Sequence, residues 1–489
     1  MKIKSIISLI LAILMLGCVL VGCAGNGEEE NTDTKTSVGT VEQDDGGRQL
    51  PDLIWNREYK VLGHSLSAET QYSTISIYAE APTDAISTDV YNRNLILEEK
   101  YGITVLMDEA STPSSTLNIE YFSGESSYEL VFLQMSEIKA MMQAGCAAAN
   151  LYDAESFPYL YFEKGCWNSY VNETLSINNK LYMTTGYINI QEKMNTALIY
   201  YNREMLNDIN ASIDPVALVR SGDWTLEAMG VLRKEGTVVD GATGEISTYG
   251  LSCSNNRNFY HYVAACGVDI IGKDANDTPQ FVIHNERTLD VIDEVLAMTH
   301  ASDGGTFFAV KSGLIEQSKE LFMNEQALMY NGELKFVDNL KSSVSFDYGF
   351  LPYPKYDSTQ ENYYSNIHTH FSALFAIPAM VSDREFASFG LQAINENSKT
   401  LNDNYIEINC RMKGSVDLDA YEMLGIATAS PIYDLGVVFG WGAIHTWIFV
   451  DYGQFPSLSV GGINNFETQY AAYEGQAIIE LNRFLEYIS

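Results

Sequence analysis

The chain has 489 residues, 46% of them hydrophobic and 19% charged, enough to bury a core split over about two or three domains. This composition excludes disordered, collagen-like and disulfide-framework classes. Lys and Arg total 29 against 64 Asp and Glu, a net charge of −35, which opposes nucleic acid and anionic membrane surfaces as partners and, more weakly, polyanionic ligands.

At the N-terminus, Lys2 and Lys4 precede an apolar run from Ile6 to Leu20 and then Leu20-Val21-Gly22-Cys23. This reads as a secretory signal over 1–23 ending in a lipobox, with Cys23 as the lipid attachment site. The competing reading is a spanning anchor, since residues 5–27 carry no charge, but the run is short for a span and stops at Gly-Cys. Lipidation would hold the mature chain at the outer face of the cytoplasmic membrane. Residues 24–51 hold seven acids, from Glu28 to Asp45, against Lys35 and Arg48, with Gly, Ser and Thr between; such a stretch reads as a solvated tether. No later segment reaches the ~20 apolar residues of a span. Beyond Cys23 stand Cys146, Cys166, Cys253, Cys266 and Cys410, with no Cys-x-x-Cys pair. Neither a zinc site nor a disulfide framework is expected; a Cys253–Cys266 bridge stays open beside the preferred reading, free thiols.

In chain order, residues 74–78 alternate as a strand does, Val90 to Tyr101 carries a helical pattern, and 103–106 is strand-like. Residues 130–133 read as a buried strand and Ser136 to Gln143 as a helix. Thr196 to Tyr201 is a strand, Asn202 to Ile209 a short helix, and Asp223-Trp224-Thr225-Leu226 opens another with a capping residue. Helices follow at Thr288 to His300 and Gln317 to Phe322, then a strand 327–330 running into Asn331-Gly332, a turn signal. Residues 348–352 are extended, His370 to Ile377 is a strand and Arg384 to Asn395 a helix. The last hundred residues read as mostly helical. Strands alternating with helices predict an α/β architecture with mainly parallel sheets.

Several segments resemble the family 1 extracellular solute-binding proteins, the maltose-binding-protein-like receptors of carbohydrate importers. Tyr91-Asn92-Arg93-Asn94 with Leu97-Glu98-Glu99-Lys100-Tyr101-Gly102-Ile103 is similar to their first helix and its exit into a strand. Tyr128 to Phe132 stands at the place of a Pro-Asp before a buried strand, with Glu129 for the Asp. Asn179-Lys180-Leu181-Tyr182 resembles an Asn-Gly-Lys-Leu-Tyr run lacking its Gly, and Ala197 to Leu206 resembles the crossing into the second domain. Leu321 to Gly332 and Tyr348 to Pro352 complete six matches in order between about Thr74 and about Tyr433.

The resemblance implies a two-lobed periplasmic-binding-protein-like clamshell with discontinuous domains, 52–195 plus 355–410 and 196–354 plus 411–489, closing on a ligand between the lobes. It also implies partners, a membrane permease with a cytoplasmic ATPase. The expected cargo is a small neutral solute, a mono- or oligosaccharide, with a peptide or vitamin as the alternative, and the receptor is expected to be monomeric.

Ligands in open α/β sheets sit outside the carboxyl ends of strands. That rule points to Gln134 and Ser136, whose alternative role is capping the next helix, and to Glu333 beyond the strand at 327–330. The resemblance implies an aromatic stacking residue at Leu334, where this chain departs from it. Asn255, Asn256 and Arg257 offer paired donors for vicinal hydroxyls. Trp441 and Trp447 are candidate stacking rings, with core packing as the competing role. His368 and His370 share a strand face, better suited to a hinge hydrogen bond than to metal. The run from Asp240 to Gly244 lacks the oxygen ligands of a calcium loop and reads as a surface turn. No Walker A, Gly-x-Ser-x-Gly or His-Glu-x-x-His motif is present; no metal, no cofactor and no catalysis are expected, a lipoprotein glycosidase being the rival.

Overall fold

The computed structural model describes residues 47–64, 75–143, 145–253, 258–310, 312–368, 372–412, 415–449 and 462–488. The first half is built on β1 (Arg57–His64), α1 (Ala85–Tyr101), β2 (Ile103–Ala110), α2 (Pro113–Ser123), β3 (Leu130–Gln134), α3 (Met135–Gln143), α4 (Ser169–Leu175) and α5 (Ile190–Met194). The second holds β4 (Ala197–Asn202), α6 (Leu226–Glu235), β5 (Val238–Val239), β6 (Ile246–Cys253), α7 (Asn258–Ala265), a hairpin of β7 (Ile271–Lys273) and β8 (Pro279–Phe281), α8 (Glu286–Thr299), β9 (Thr306–Phe308), α9 (Ile315–Met323), β10 (Ala327–Glu333) and β11 (Tyr348–Leu351). Then come β12 (Ser365–Asn366), β13 (Ala373–Ala376), α10 (Arg384–Glu396), α11 (Lys399–Asn409), α12 (Leu418–Ala429), α13 (Ile444–Phe449) and α14 (Phe466–Ile488).

Two sheets organise these elements. The first runs β13-β3-β1-β2, the second β11-β4-β10-β6-β5 with β9 beside β6. β1, β2 and β3 are mutually parallel and β13 joins antiparallel, Ala373 opposite Gln134. β6, β9 and β10 are parallel, β4 runs against β10 with Ala197 opposite Glu333, and β11 runs against β4 and so in the direction of β10. Strands buried on both faces read as unbroken apolar runs, and β3, β4 and β13 are buried at every position.

Local chemistry explains the element ends. Asp84 and Ser87 form a reciprocal capping box at the start of α1, and Gly102 closes it in the left-handed region, the conformation glycine adopts without a Cβ penalty. Thr225 caps α6 and Asp383 caps α10.

Two expectations are corrected. Residue 75 is helical and 76–77 form a turn, not a strand; the carbonyls of Ser76 and Ile77 accept from the buried Arg93 guanidinium, each at 2.7 Å, so no ladder partner is needed. The strand before α1 is β1, whose Arg57, Glu58 and Lys60 mask its apolar half. Asn331-Gly332 is no turn: both lie inside β10, opposite Ile199 and Leu198 of β4. The five cysteines after Cys23 are free thiols, Cys253 and Cys266 among them. Among the described residues no helix is long and apolar enough to cross a membrane, and Cys23 lies outside them.

Candidate functional site

Topology decides where the strand ends point. The chain enters the second sheet through β4 and returns to the first through β13, and each crossing strand runs antiparallel to the core strands it joins. The carboxyl ends of β3 and β10 therefore lie beside the crossings, where the fold rule places ligands. The crossings themselves pair: Thr196 bridges antiparallel to Ile367, and the His368 N–H donates to the Asn195 carbonyl at 3.2 Å. Two adjacent strands thus join the halves, a geometry that permits hinge bending.

Polar side chains gather at this junction. The Lys335 ammonium donates to Asn195 Oδ1 at 2.9 Å, His368 Nε2 stands 3.9 Å from the Glu333 carboxylate, and the Asn331 amide donates to the Tyr353 hydroxyl at 2.9 Å. On the first sheet, Glu137 in the opening turn of α3 accepts from Ser114 Oγ at 3.0 Å and from the Gln134 N–H at 3.3 Å, and bonds His64 Nε2 at the end of β1. Tyr433 donates to Glu192 at 2.9 Å; burial pushes the Glu192 carboxyl up.

The halves meet again away from the hinge, between the turn after α4 and the β7–β8 hairpin. Asp277 accepts from the Asn179 N–H at 2.9 Å and from Ser176 Oγ at 3.0 Å, and its carbonyl accepts from the Asn178 N–H at 2.9 Å.

A pocket of about 260 Å³ lies between α3 and the C-terminal segments. Phe439 and Trp441 stack coplanar at 4.9 Å with Phe484 against them. Lys139, Glu480, Arg483 and Tyr487 complete the lining. The Lys139 ammonium is bound to Glu480 at 2.7 Å and to the Gly440 carbonyl at 3.1 Å. Glu480 also accepts from the Gly442 N–H and from Gln476. Burial pushes the Glu480 carboxyl up, but Lys139 and these donors outweigh it and hold it below its ordinary value.

The residues singled out in the sequence fall in different places. Gln134 is buried at the end of β3, and Ser136 is exposed on the first turn of α3. Glu333 is at the hinge. Leu334 is buried, its N–H on the Thr196 carbonyl. Trp441 is 3% exposed, a pocket wall rather than an open stacking face, and Trp447 stacks on Tyr473 of α14 at 5.1 Å, outside the pocket lining. Asn255, Asn256, Arg257 and His370 lie outside the described residues; His368 is at the hinge. Asp240 caps a surface turn, accepting from the Ala242 and Thr243 N–H groups at 2.8 Å. Sequence reasoning missed Asn195, Lys335, Glu137 and the charged pocket residues; for Asn195 the signal was its place just before the apolar crossing strand. Among the described residues no group of three or more His, Cys, Asp or Glu side chains could hold a metal.

No protein-family model matches the sequence, and no curated protein matches it. Solved structures do. The GacH receptor of Streptomyces glaucescens GLA.O, solved unliganded and with acarbose, is 11% identical with a TM-score of 0.52, over 87% of this chain and 98% of that one. UspC of M. tuberculosis is 14% identical, also with a TM-score of 0.52, over 86% and 99%. The chain has the fold of the family 1 solute-binding proteins, a two-lobed, periplasmic-binding-protein-like α/β architecture.

Proposed function

We propose that this chain is the extracytoplasmic solute-binding receptor of an ABC importer, capturing a saccharide by closure of its two lobes without transforming it. The observation that carries this reading is the paired hinge, Thr196 against Ile367, with the carboxyl ends of β3 and β10 beside it. A ligand touching both lobes stabilises only the closed form, so binding and closure are one equilibrium. The GacH receptor, with which this chain shares its fold, was solved in complex with acarbose.

The lobes are assigned as 52–195 plus 355–410 and 196–354 plus 411–489. The ligand groups come from Gln134, Ser136, Asn255, Asn256, Arg257 and Glu333, with Trp441 and Trp447 as aromatic walls. Lipid at Cys23 holds the monomeric receptor near its permease and ATPase.

The test is a thermal-shift screen of the full chain against a saccharide library, followed by product analysis of each hit. A raised melting temperature with the sugar recovered intact is expected, because a ligand that binds only the native state stabilises it by mass action. Hydrolysed product would make the chain a glycosidase; stabilisation by peptides or vitamins alone would remove the saccharide.

A further inference from the structure

The pocket between α3 and α14 is lined by two cations, Lys139 and Arg483, and among the described residues only Lys139 has a hydrogen-bonded acid partner. Lys139 donates to Glu480 and to the Gly440 carbonyl, and Glu480 also accepts from the Gly442 N–H and from Gln476. That leaves the pair neutral. Arg483, one turn further along α14, lines the same pocket and is exposed. It makes no hydrogen bond or ion pair among the described residues. In a chain of net charge −35, it places an exposed guanidinium beside an aromatic cavity.

The apolar side of the pocket has matching features. Phe439, Trp441 and Phe484 are packed into one another and buried, whereas Tyr487 is 58% exposed and is the lining ring with an open face. The volume, about 260 Å³, falls just under the ~300–1,000 Å³ of small-molecule sites, so it admits a single ring with the remainder of a ligand in solvent. Guanidinium groups hold carboxylates through two parallel hydrogen bonds, and aromatic rings take the apolar face of a sugar.

We propose that this pocket holds an acidic sugar residue, a uronate whose ring lies on Tyr487 and whose carboxylate is bound by Arg483. The inference rests on the receptor reading and adds to its ligand groups, beside Trp441, a subsite for one singly charged ring. The pocket joins α3, which follows the first sheet's β3, to a C-terminal layer that packs on the second half through Phe449 against Tyr260 and Tyr470 against His284. A guest on Arg483 and Tyr487 would sit on α14, facing α3 across the pocket.

Isothermal titration of the full chain with glucuronate, galacturonate, mannuronate and their dimers, each beside its neutral hexose counterpart, tests this. At least one uronate should bind about tenfold more tightly than its neutral partner, the scale of one charge-assisted bidentate contact, and the advantage should shrink as salt is raised. R483Q should abolish the preference and R483K retain part of it; both should melt with the parent, since the side chain is exposed and unbonded. Preference unchanged in R483Q, binding of benzoate without any uronate, or neutral sugars bound as tightly as acidic ones would each overturn the proposal. Neutral binding insensitive to Arg483 leaves the receptor reading standing, whereas no saccharide bound at all removes both.

Discussion

Arg93 shows how a single residue can hold a non-repetitive segment in place. It is 2% exposed and donates to the carbonyls of Ser76 and Ile77 and, at 3.1 Å, to Ser398 Oγ. Burial pulls its guanidinium down to about 9, so it remains charged through neutral pH. Replacing it with Met removes these donors, and each buried carbonyl left without one costs about 1–3 kcal/mol. Arg93→Met should therefore lower the urea midpoint clearly without changing ligand specificity. Asp434 acts in the other direction. Its two oxygens accept from the Ile270 and Gly436 N–H groups, each at 2.6 Å, yet burial and the neighbouring Asp269 push its carboxyl up to about 7. The folded value exceeds the unfolded one, so the native chain keeps a proton that the unfolded chain has lost. The contribution is full below about pH 4 and disappears as pH rises towards 7. The parent should melt at a lower temperature at pH 8 than at pH 5, and Asp434→Asn should flatten that difference; an equal drop in both proteins would rule the group out.

At the scale of elements, close approach matters more than propensity. α10 crosses β1 at Gly390, where a Cβ would stand 2.1 Å from the Tyr59 ring. That ring cannot retreat, because its hydroxyl donates to the Ala387 carbonyl at 2.9 Å. Gly390→Ala should destabilise by about 1–3 kcal/mol, the usual cost of overpacking, read as a lower melting temperature with an unchanged unfolding slope. The same scale shows what sequence could and could not convey. Apolar runs such as 130–133 and 196–201 announced buried strands because both their faces are covered. β1 went unseen because Arg57, Glu58 and Lys60 interrupt its pattern, while the alternation at 74–78 suggested a strand that 75–77 do not form. Asn331-Gly332 looked like a turn because those residue types favour turns; in the fold Asn331 bonds Tyr353 and Gly332 lies against the Tyr330 ring, so packing overrode local preference.

For the whole molecule, the paired crossing is the feature on which the proposed function rests. If closure accompanies capture, small-angle scattering should report a smaller radius of gyration with a bound saccharide than without one, and an unchanged radius at saturation would reject hinge closure. The amino-acid sequence by itself determined the alternation of strands and helices, the apolar crossing strand at 196–201 and the acidic character of the surface, since periodicity and charge are local quantities. It also carried the likeness to solute-binding receptors, spread over six short segments. Only the tertiary structure decided that Thr196 lies against Ile367, and that Lys139 is neutralised by Glu480 while Arg483 has no ion pair among the described residues. Those partners are separated by some hundreds of residues, and no local pattern encodes which distant charge will be left over once the chain has packed.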